Sequence, residues 1–313
     1  MIPAMADVVL ETRSLKKSFG KVHALTGVEL SVKRGDLYGF LGQNGAGKTT
    51  AIRILGKLVR PSSGSATLLG MDVGSTPPTE LLSRVGFLVE SPAFFPYLTG
   101  GDNLLLHARL LGLKSAAKSC GTMAARFGLK DTVGRRVSEY SLGMKQRLGI
   151  AQALLGDPEL LILDEPTNGL DPSGIARVRE ILREECRERG RTVFLSSHML
   201  SEVELLCGKV AVLHEGRVIA EGSVASLLME GERVRIRTSD PKLSGTIVLR
   251  LGLERADSSG PDLVLHGNDE QVASVVRALI DGGVEIHEVT RQRRSLEDVY
   301  RDLTRQEASW QES

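Results

Sequence analysis

From residue 8 to about 221, short runs of Val, Leu and Ile alternate with longer segments whose apolar residues recur at helical spacing. That alternation predicts a mostly parallel sheet covered by helices, with a β-rich N-terminal part. The clearest buried-strand candidates are residues 37–41, 160–163, 192–195 and 210–213. The first three run into polar or glycine-rich turns, and open α/β sheets bind ligands at the carboxyl ends of their strands. Residues 99–157 are rich in Leu and Ala without a convincing β run and predict a helical insert.

Near residue 230 the pattern changes. Val234 and Ile236 alternate with Arg233, Arg235 and Arg237, as in a half-exposed strand. A strand over 262–265, a helix over 270–280 ended by Gly282 and Gly283, and a strand over 284–289 follow. Ser295, with Asp298 three residues on, opens a last helix whose Leu296, Val299, Tyr300 and Leu303 share one face. The expected division is therefore a domain over 1–230, a small α/β domain over 231–304 and a tail over 305–313.

Length and composition change this picture little. A chain of 313 residues accommodates one large α/β domain and a smaller companion, and 41% apolar with 25% charged residues is ordinary for a globular protein. Lys plus Arg (40) and Asp plus Glu (39) nearly cancel, so nothing in the net charge points to nucleic acid as a partner. Cys120, Cys186 and Cys207 lack metal-site spacing and read as reduced structural thiols. The first ten residues lack the features of a signal peptide. Every hydrophobic run is interrupted well short of the ~18 residues a membrane helix needs, so any work at a membrane requires a second, spanning chain.

Two clusters carry chemistry. Gly42-Gln-Asn-Gly-Ala-Gly47-Lys48-Thr49 follows a predicted strand and opens a helical pattern, the context of a phosphate loop. Its glycines let backbone N–H groups turn inward around phosphate oxygens, and the helix N-terminus adds its positive dipole end. Lys48 is placed to reach the β- and γ-phosphates, and the Thr49 hydroxyl to ligate Mg2+. Gly42, Asn44, Gly45, Gly47 and Thr50 complete the candidate nucleotide contacts. The second cluster is the apolar run 160–163, which ends in Asp164 and Glu165. Beside a phosphate loop, Asp164 supplies the carboxylate that Mg2+ needs, and Glu165 the general base that orients and deprotonates a water.

Tyr140-Ser-Leu-Gly143-Met-Lys-Gln-Arg147 resembles the signature motif of the ABC ATPases, Asn168-Gly-Leu-Asp171-Pro172 resembles their D-loop, and His198 their switch histidine. The ordered set runs from Phe19 to His198. The resemblance implies a P-loop ABC cassette that hydrolyses ATP with Mg2+. Two copies would close head-to-tail, Ser141 and Gly143 of one gripping the γ-phosphate held by the other, with Asp171 of the D-loop among the nucleotide-binding residues and Phe19 stacked on adenine. Spacing alone leaves Phe19 open to a core role and Ser141 to a simple N-cap. The family also implies a separate transmembrane permease, which would hold this chain at the cytoplasmic face of the membrane.

Three departures stand out. Glu90 occupies the position of the usual Q-loop glutamine, where it is a candidate for catalysis and for the metal, although an ionised carboxylate cannot donate a hydrogen bond. Leu142 replaces the first signature glycine and Met144 the glutamine. With the C-terminal extension, these features resemble the bacitracin- and daunorubicin-exporter branch, which implies export of a drug, antibiotic, peptide or lipid. For the extension itself, a structural cap on the dimer and a regulatory role both remain open, and the Arg291–Arg294 cluster reads as a solvated turn. A non-transport ABC ATPase of DNA repair or translation is the rival class. It is disfavoured by the short interval between Lys48 and Ser141, which carries no sustained heptads, and by the presence of one cassette.

Overall fold

The computed structural model describes residues 8–229, 233–253, 255–257, 262–266, 269–292 and 295–311. The chain divides into two compact units, 1–222 and 223–313. The division thus falls before the expected 230/231 boundary, because the short helix 224–229 belongs to the second unit.

The first unit begins with two long strands, β1 (Val8–Phe19) and β2 (Val22–Lys33), paired antiparallel. In β2, Val28, Leu30 and Val32 are buried while Glu29, Ser31 and Lys33 are exposed, the two-residue period of a half-buried strand. β3 (Leu37–Leu41) is followed by α1 (Lys48–Leu55), β4 (Ser63–Leu68), β5 (Met71–Asp72), α2 (Pro78–Arg84) and β6 (Val85–Leu88). The helical segment then supplies α3 (Gly100–Leu110), α4 (Ala116–Arg126) and α5 (Leu142–Leu154). Thr99 and Asp102 form a reciprocal capping box that starts α3. The unit closes with β7 (Leu160–Asp164), α6 (Pro172–Arg187), β8 (Thr192–Ser197), α7 (Leu200–Leu206), β9 (Lys209–His214) and β10 (Arg217–Ser223).

These strands form an antiparallel sheet ordered β2-β1-β4-β5 and a six-stranded sheet ordered β10-β9-β3-β8-β7-β6. The N-terminal part is therefore a separate antiparallel layer rather than a continuation of the strand-helix alternation. One buried apolar cluster joins both sheets to α1, with Leu10, Val28, Phe40, Ile52, Leu68, Ile162 and Phe194 fully or almost fully buried. Each such side chain contributes about 1.5–3 kcal/mol relative to exposure. In the second sheet β6, β7, β8, β3 and β9 pair in parallel. Their register sets Leu41 beside Ser197 and Asp164 beside Ser196, so the segments after β3, β7 and β8 emerge together at one edge.

The second unit runs α8 (Val224–Met229), β11 (Arg233–Thr238), α9 (Pro241–Arg250), β12 (Arg255–Asp257), β13 (Leu263–His266), α10 (Asp269–Asp281), β14 (Ile286–Gln292) and α11 (Leu296–Gln311). From β11 to β14 the order is βαββαβ, and the antiparallel sheet is arranged β12-β13-β11-β14, a ferredoxin-like plan. Val234, Ile236, Val248, Leu263, Leu265, Val275 and Leu279 form its core. α9 and β12 fall where the sequence pattern predicts no element, and Ser244 and Gly245 stand on the buried face of α9 in place of larger apolar residues. α11 continues to Gln311 where a tail from 305 was expected. Arg293 and Arg294 of the basic cluster lie outside the described residues. Among the described residues no helix is long and apolar enough to cross a membrane.

Candidate nucleotide site

The loop between β3 and α1 is shaped by close backbone approach. Gly47 has φ 110°, and a Cβ there would lie 2.5 Å from the Ala24 carbonyl oxygen. A Cβ on Gly42 would meet the Leu213 carbonyl oxygen at the same distance. Only glycine fits either position. α1 starts at Lys48 without a side-chain cap, which leaves the positive end of the helix facing the loop. The buried Lys48 ammonium donates to the carbonyl oxygens of Gly42 (2.6 Å) and Gln43 (3.2 Å).

The ends of β7 and β8 complete the site. Thr49 Oγ1 donates to Asp164 Oδ2 at 2.9 Å, so two hard oxygen ligands stand together next to the phosphate loop. That donor set suits Mg2+. Buried Ser196 donates to the other Asp164 oxygen and accepts from the Glu165 N–H at 3.0 Å. Glu165 adopts a left-handed backbone, φ 48°, which costs a non-glycine residue roughly 1 kcal/mol or more. Its carbonyl accepts from Gln146 Nε2 at 2.9 Å and from the Asn168 N–H at 3.1 Å. Its carboxylate lies 3.5 Å from Lys48 Nζ and 2.8 Å from His198 Nδ1. Because a carboxylate only accepts, Nδ1 carries the proton there and Nε2 is left for another partner.

The result is an open cleft of about 500 Å³ lined by Val22, His23, Ala24, Asn44, Gly45, Gly47, Lys48, Thr49, Thr50, Glu165, Asn168 and His198. A triphosphate with its charged groups on the loop fits both the size and the chemistry of this lining. Phe19 is 48% exposed, so it is not a core residue; it pairs across the hairpin with Val22, which lines the cleft. Lys17 Nζ sits 4.8 Å from its ring centroid.

Ser141, Gly143 and Asp171 do not line their own chain's cleft. Ser141 caps α5 by accepting from the Met144 N–H at 3.2 Å. Asp171 caps α6, and the Ser173 hydroxyl and Gly174 N–H hold its carboxyl below the usual range. Leu142 leans over Gly169: a Cβ on that glycine would meet Leu142 Cδ2 at 2.3 Å.

Glu90 is placed differently from the expectation. Its carboxylate pairs with Arg53 on α1 at 2.5 Å, its side chain is 48% exposed, and it is not among the cleft residues. In this conformation it stands outside the Thr49–Asp164 donor pair. Ser196 and Gln146 were not anticipated from sequence. A serine interrupting the apolar run 192–197 beside an acid-terminated strand was the available signal for the first; the second is apparent only from tertiary packing.

A glycine loop, a buried lysine, a threonine–aspartate pair and a following glutamate at adjacent strand ends define a P-loop ATPase. The ABC transporter family model matches residues 25–168. A bacitracin transport ATP-binding protein from Bacillus licheniformis is 36% identical over 298 residues, covering 94% of this chain and 96% of its own. The daunorubicin resistance ATP-binding protein DrrA3 of Streptomyces coeruleorubidus is 37% identical over 311 residues, covering 96% and 97%. The chain belongs to the ABC transporter family, as an ATP-binding subunit with ATP hydrolase activity. Among solved structures, an ATP binding subunit of an ABC transporter is 27% identical with a TM-score of 0.64, covering 86% of this chain and 99% of that one. A dimeric cassette in a post-hydrolysis state with ADP and Pi, 23% identical with a TM-score of 0.64, shares the fold over 69% of this chain and 98% of its own. With relatives named for transport and drug resistance, the DNA-repair and translation alternative falls away.

Proposed function

We propose that this chain is the motor of an ABC exporter, in which two copies close over Mg-ATP at the cytoplasmic face of the membrane and drive a separate permease. The observation that carries the reading is the Glu165 carboxylate, held between Lys48 and His198 at the mouth of the phosphate loop. Gly42, Asn44, Gly45, Gly47, Lys48 and Thr50 cradle the phosphates, with Lys48 moving from loop carbonyls to the β- and γ-oxygens. Thr49 and Asp164 hold Mg2+, which when bound supplies positive charge to the transferring phosphoryl group. Glu165 takes the proton of the attacking water, and His198 fixes the orientation of that carboxylate.

Ser141 and Gly143 at the start of α5 offer an anion site to the partner copy's γ-phosphate, with Asp171 ordering the joint between copies and Phe19 stacking on the base. ATP touches both copies only when they are closed, so its binding shifts the population toward closure and hydrolysis releases it. Dimeric solved cassettes support the pairing, and near full-length similarity to proteins for bacitracin transport and daunorubicin resistance supports a drug or antibiotic as cargo. The test is Glu165→Gln. ATP affinity should stay within about twofold while turnover falls about a hundredfold or more, and the variant should dimerise on adding ATP. Wild-type turnover in that variant would remove the general-base assignment.

A further inference from the structure

Beyond that reading, and resting on Glu165 as the base, we propose that Gln146 is a positioning residue that ties the signature helix to the catalytic glutamate. Gln146 is 3% exposed and sits just over one turn into α5, on the helix that Ser141 opens. Its Nε2 donates to the Glu165 carbonyl at 2.9 Å. The acceptor fixes the amide orientation, since a carbonyl oxygen facing a carbonyl oxygen would leave both unpaired.

Glu165 holds a left-handed conformation that its own residue type disfavours, so the surroundings must impose it. Ser196 grips the N–H of this residue from the sheet, and Gln146 grips its C=O from the helical segment. The grip from α5 is reinforced at Leu142, whose side chain lies over Gly169 in the turn that follows Glu165, and at Gly143, where a Cβ would meet the Gly169 carbonyl oxygen at 3.1 Å. The first turn and a half of α5 and the 165–169 turn are thus joined at three places. A displacement of α5, when its N-terminus engages the partner's nucleotide, is carried to the peptide plane of the base. Correct docking at one site then sets the aim of the carboxylate that activates the attacking water at the other.

The test is a kinetic double-mutant cycle on the full chain. Gln146→Met keeps the length and apolar bulk of the side chain and removes the donor. It should lower kcat about tenfold or more while leaving KM for ATP and the affinity for a fluorescent ATP analogue within about twofold. In the Glu165→Gln background the same substitution should change the residual turnover, followed over hours, by less than about twofold. Gln146→Asn, one methylene too short to reach, should reproduce the pattern and serves if the methionine variant does not fold. Equal losses in both backgrounds, or a parallel loss of nucleotide affinity, would mean a merely structural role and overturn the proposal. Wild-type kcat in Gln146→Met alongside an inactive Glu165→Gln would overturn it too, with the base assignment intact; an active Glu165→Gln would remove both.

Discussion

Removing the Ser196 hydroxyl tests how the acid pair is held. Ser196 is fully buried, donates to Asp164 Oδ1 and accepts from the Glu165 N–H at 3.0 Å. In Ser196→Ala, Asp164, itself 1% exposed, loses a donor to a charged oxygen, and the Glu165 N–H is orphaned. The first loss costs about 2 kcal/mol and the second about 1 kcal/mol, with Thr49 still donating to Asp164 Oδ2. A total of about 3 kcal/mol, over a urea slope of about 3 kcal/mol/M, lowers the unfolding midpoint by about 1 M. Because the two units can unfold separately, the transition to follow is the one that moves with added ATP. Ser197→Ala is the control: among the described residues that hydroxyl accepts only from the Met199 N–H at 3.0 Å, so its loss should cost about 1 kcal/mol. Equal midpoints for the two alanine variants would refute the reasoning, and so would an unchanged Mg2+ requirement in Ser196→Ala.

Two further outcomes follow from the same geometry. Burial pushes the Cys186 thiol up to about 12 and the Cys207 thiol higher still, so both stay protonated in the folded chain where unfolded thiols ionise. The folded state then binds more protons above the ordinary thiol value of 9.0, and stability, whole below that pH, falls as pH climbs toward 12. Urea midpoints across pH 8 to 11 check this, and a Cys207→Ala variant should lose part of the decline; a flat profile in the wild type would contradict it. Glu90→Gln removes an ion pair whose two side chains are 41% and 48% exposed, so stability should change by less than about 1 kcal/mol. ATP affinity should hold within about twofold while transport per ATP hydrolysed changes in the reconstituted complex, and an unchanged ratio would remove the coupling role.

What was legible in the chain was whatever the ligand's chemistry dictates by residue type. Phosphate demands glycines and a lysine after a strand, and the metal demands an acid at the next strand end; the structure brings Lys48, Thr49, Asp164, Glu165 and His198 together within hydrogen-bonding reach. The core strands were legible too, since 37–41, 160–163, 192–195 and 210–213 are buried on both faces and read as unbroken apolar runs. The supporting residues were not. Ser196 matters because the parallel register sets it beside Asp164, and Gln146 because α5 packs across the turn after β7. Neither relation has a period or a spacing in sequence. The pairing of β1 with β2 was obscured by register shifts, which break the two-residue alternation of β1.

Glu90 and Glu165 make the same point from one geometry. β6 and β7 are parallel neighbours with Leu88 beside Leu163, so each glutamate stands two residues past a matched pair, and each has a left-handed backbone, φ 55° and 48°. The local turn is therefore shared, and the backbone alone does not separate them. Their surroundings do. Val89 stands where β7 has Asp164, so the end of β6 lacks the buried acid, and the nearest cation to Glu90 is Arg53 on the outer part of α1. Glu165 instead meets a buried lysine and a histidine from the neighbouring strand end. Of two carboxylates on the same local turn, only the one whose cation already belongs to the phosphate loop is drawn into the cleft, whereas the family resemblance that nominated Glu90 fixes its position and not its surroundings.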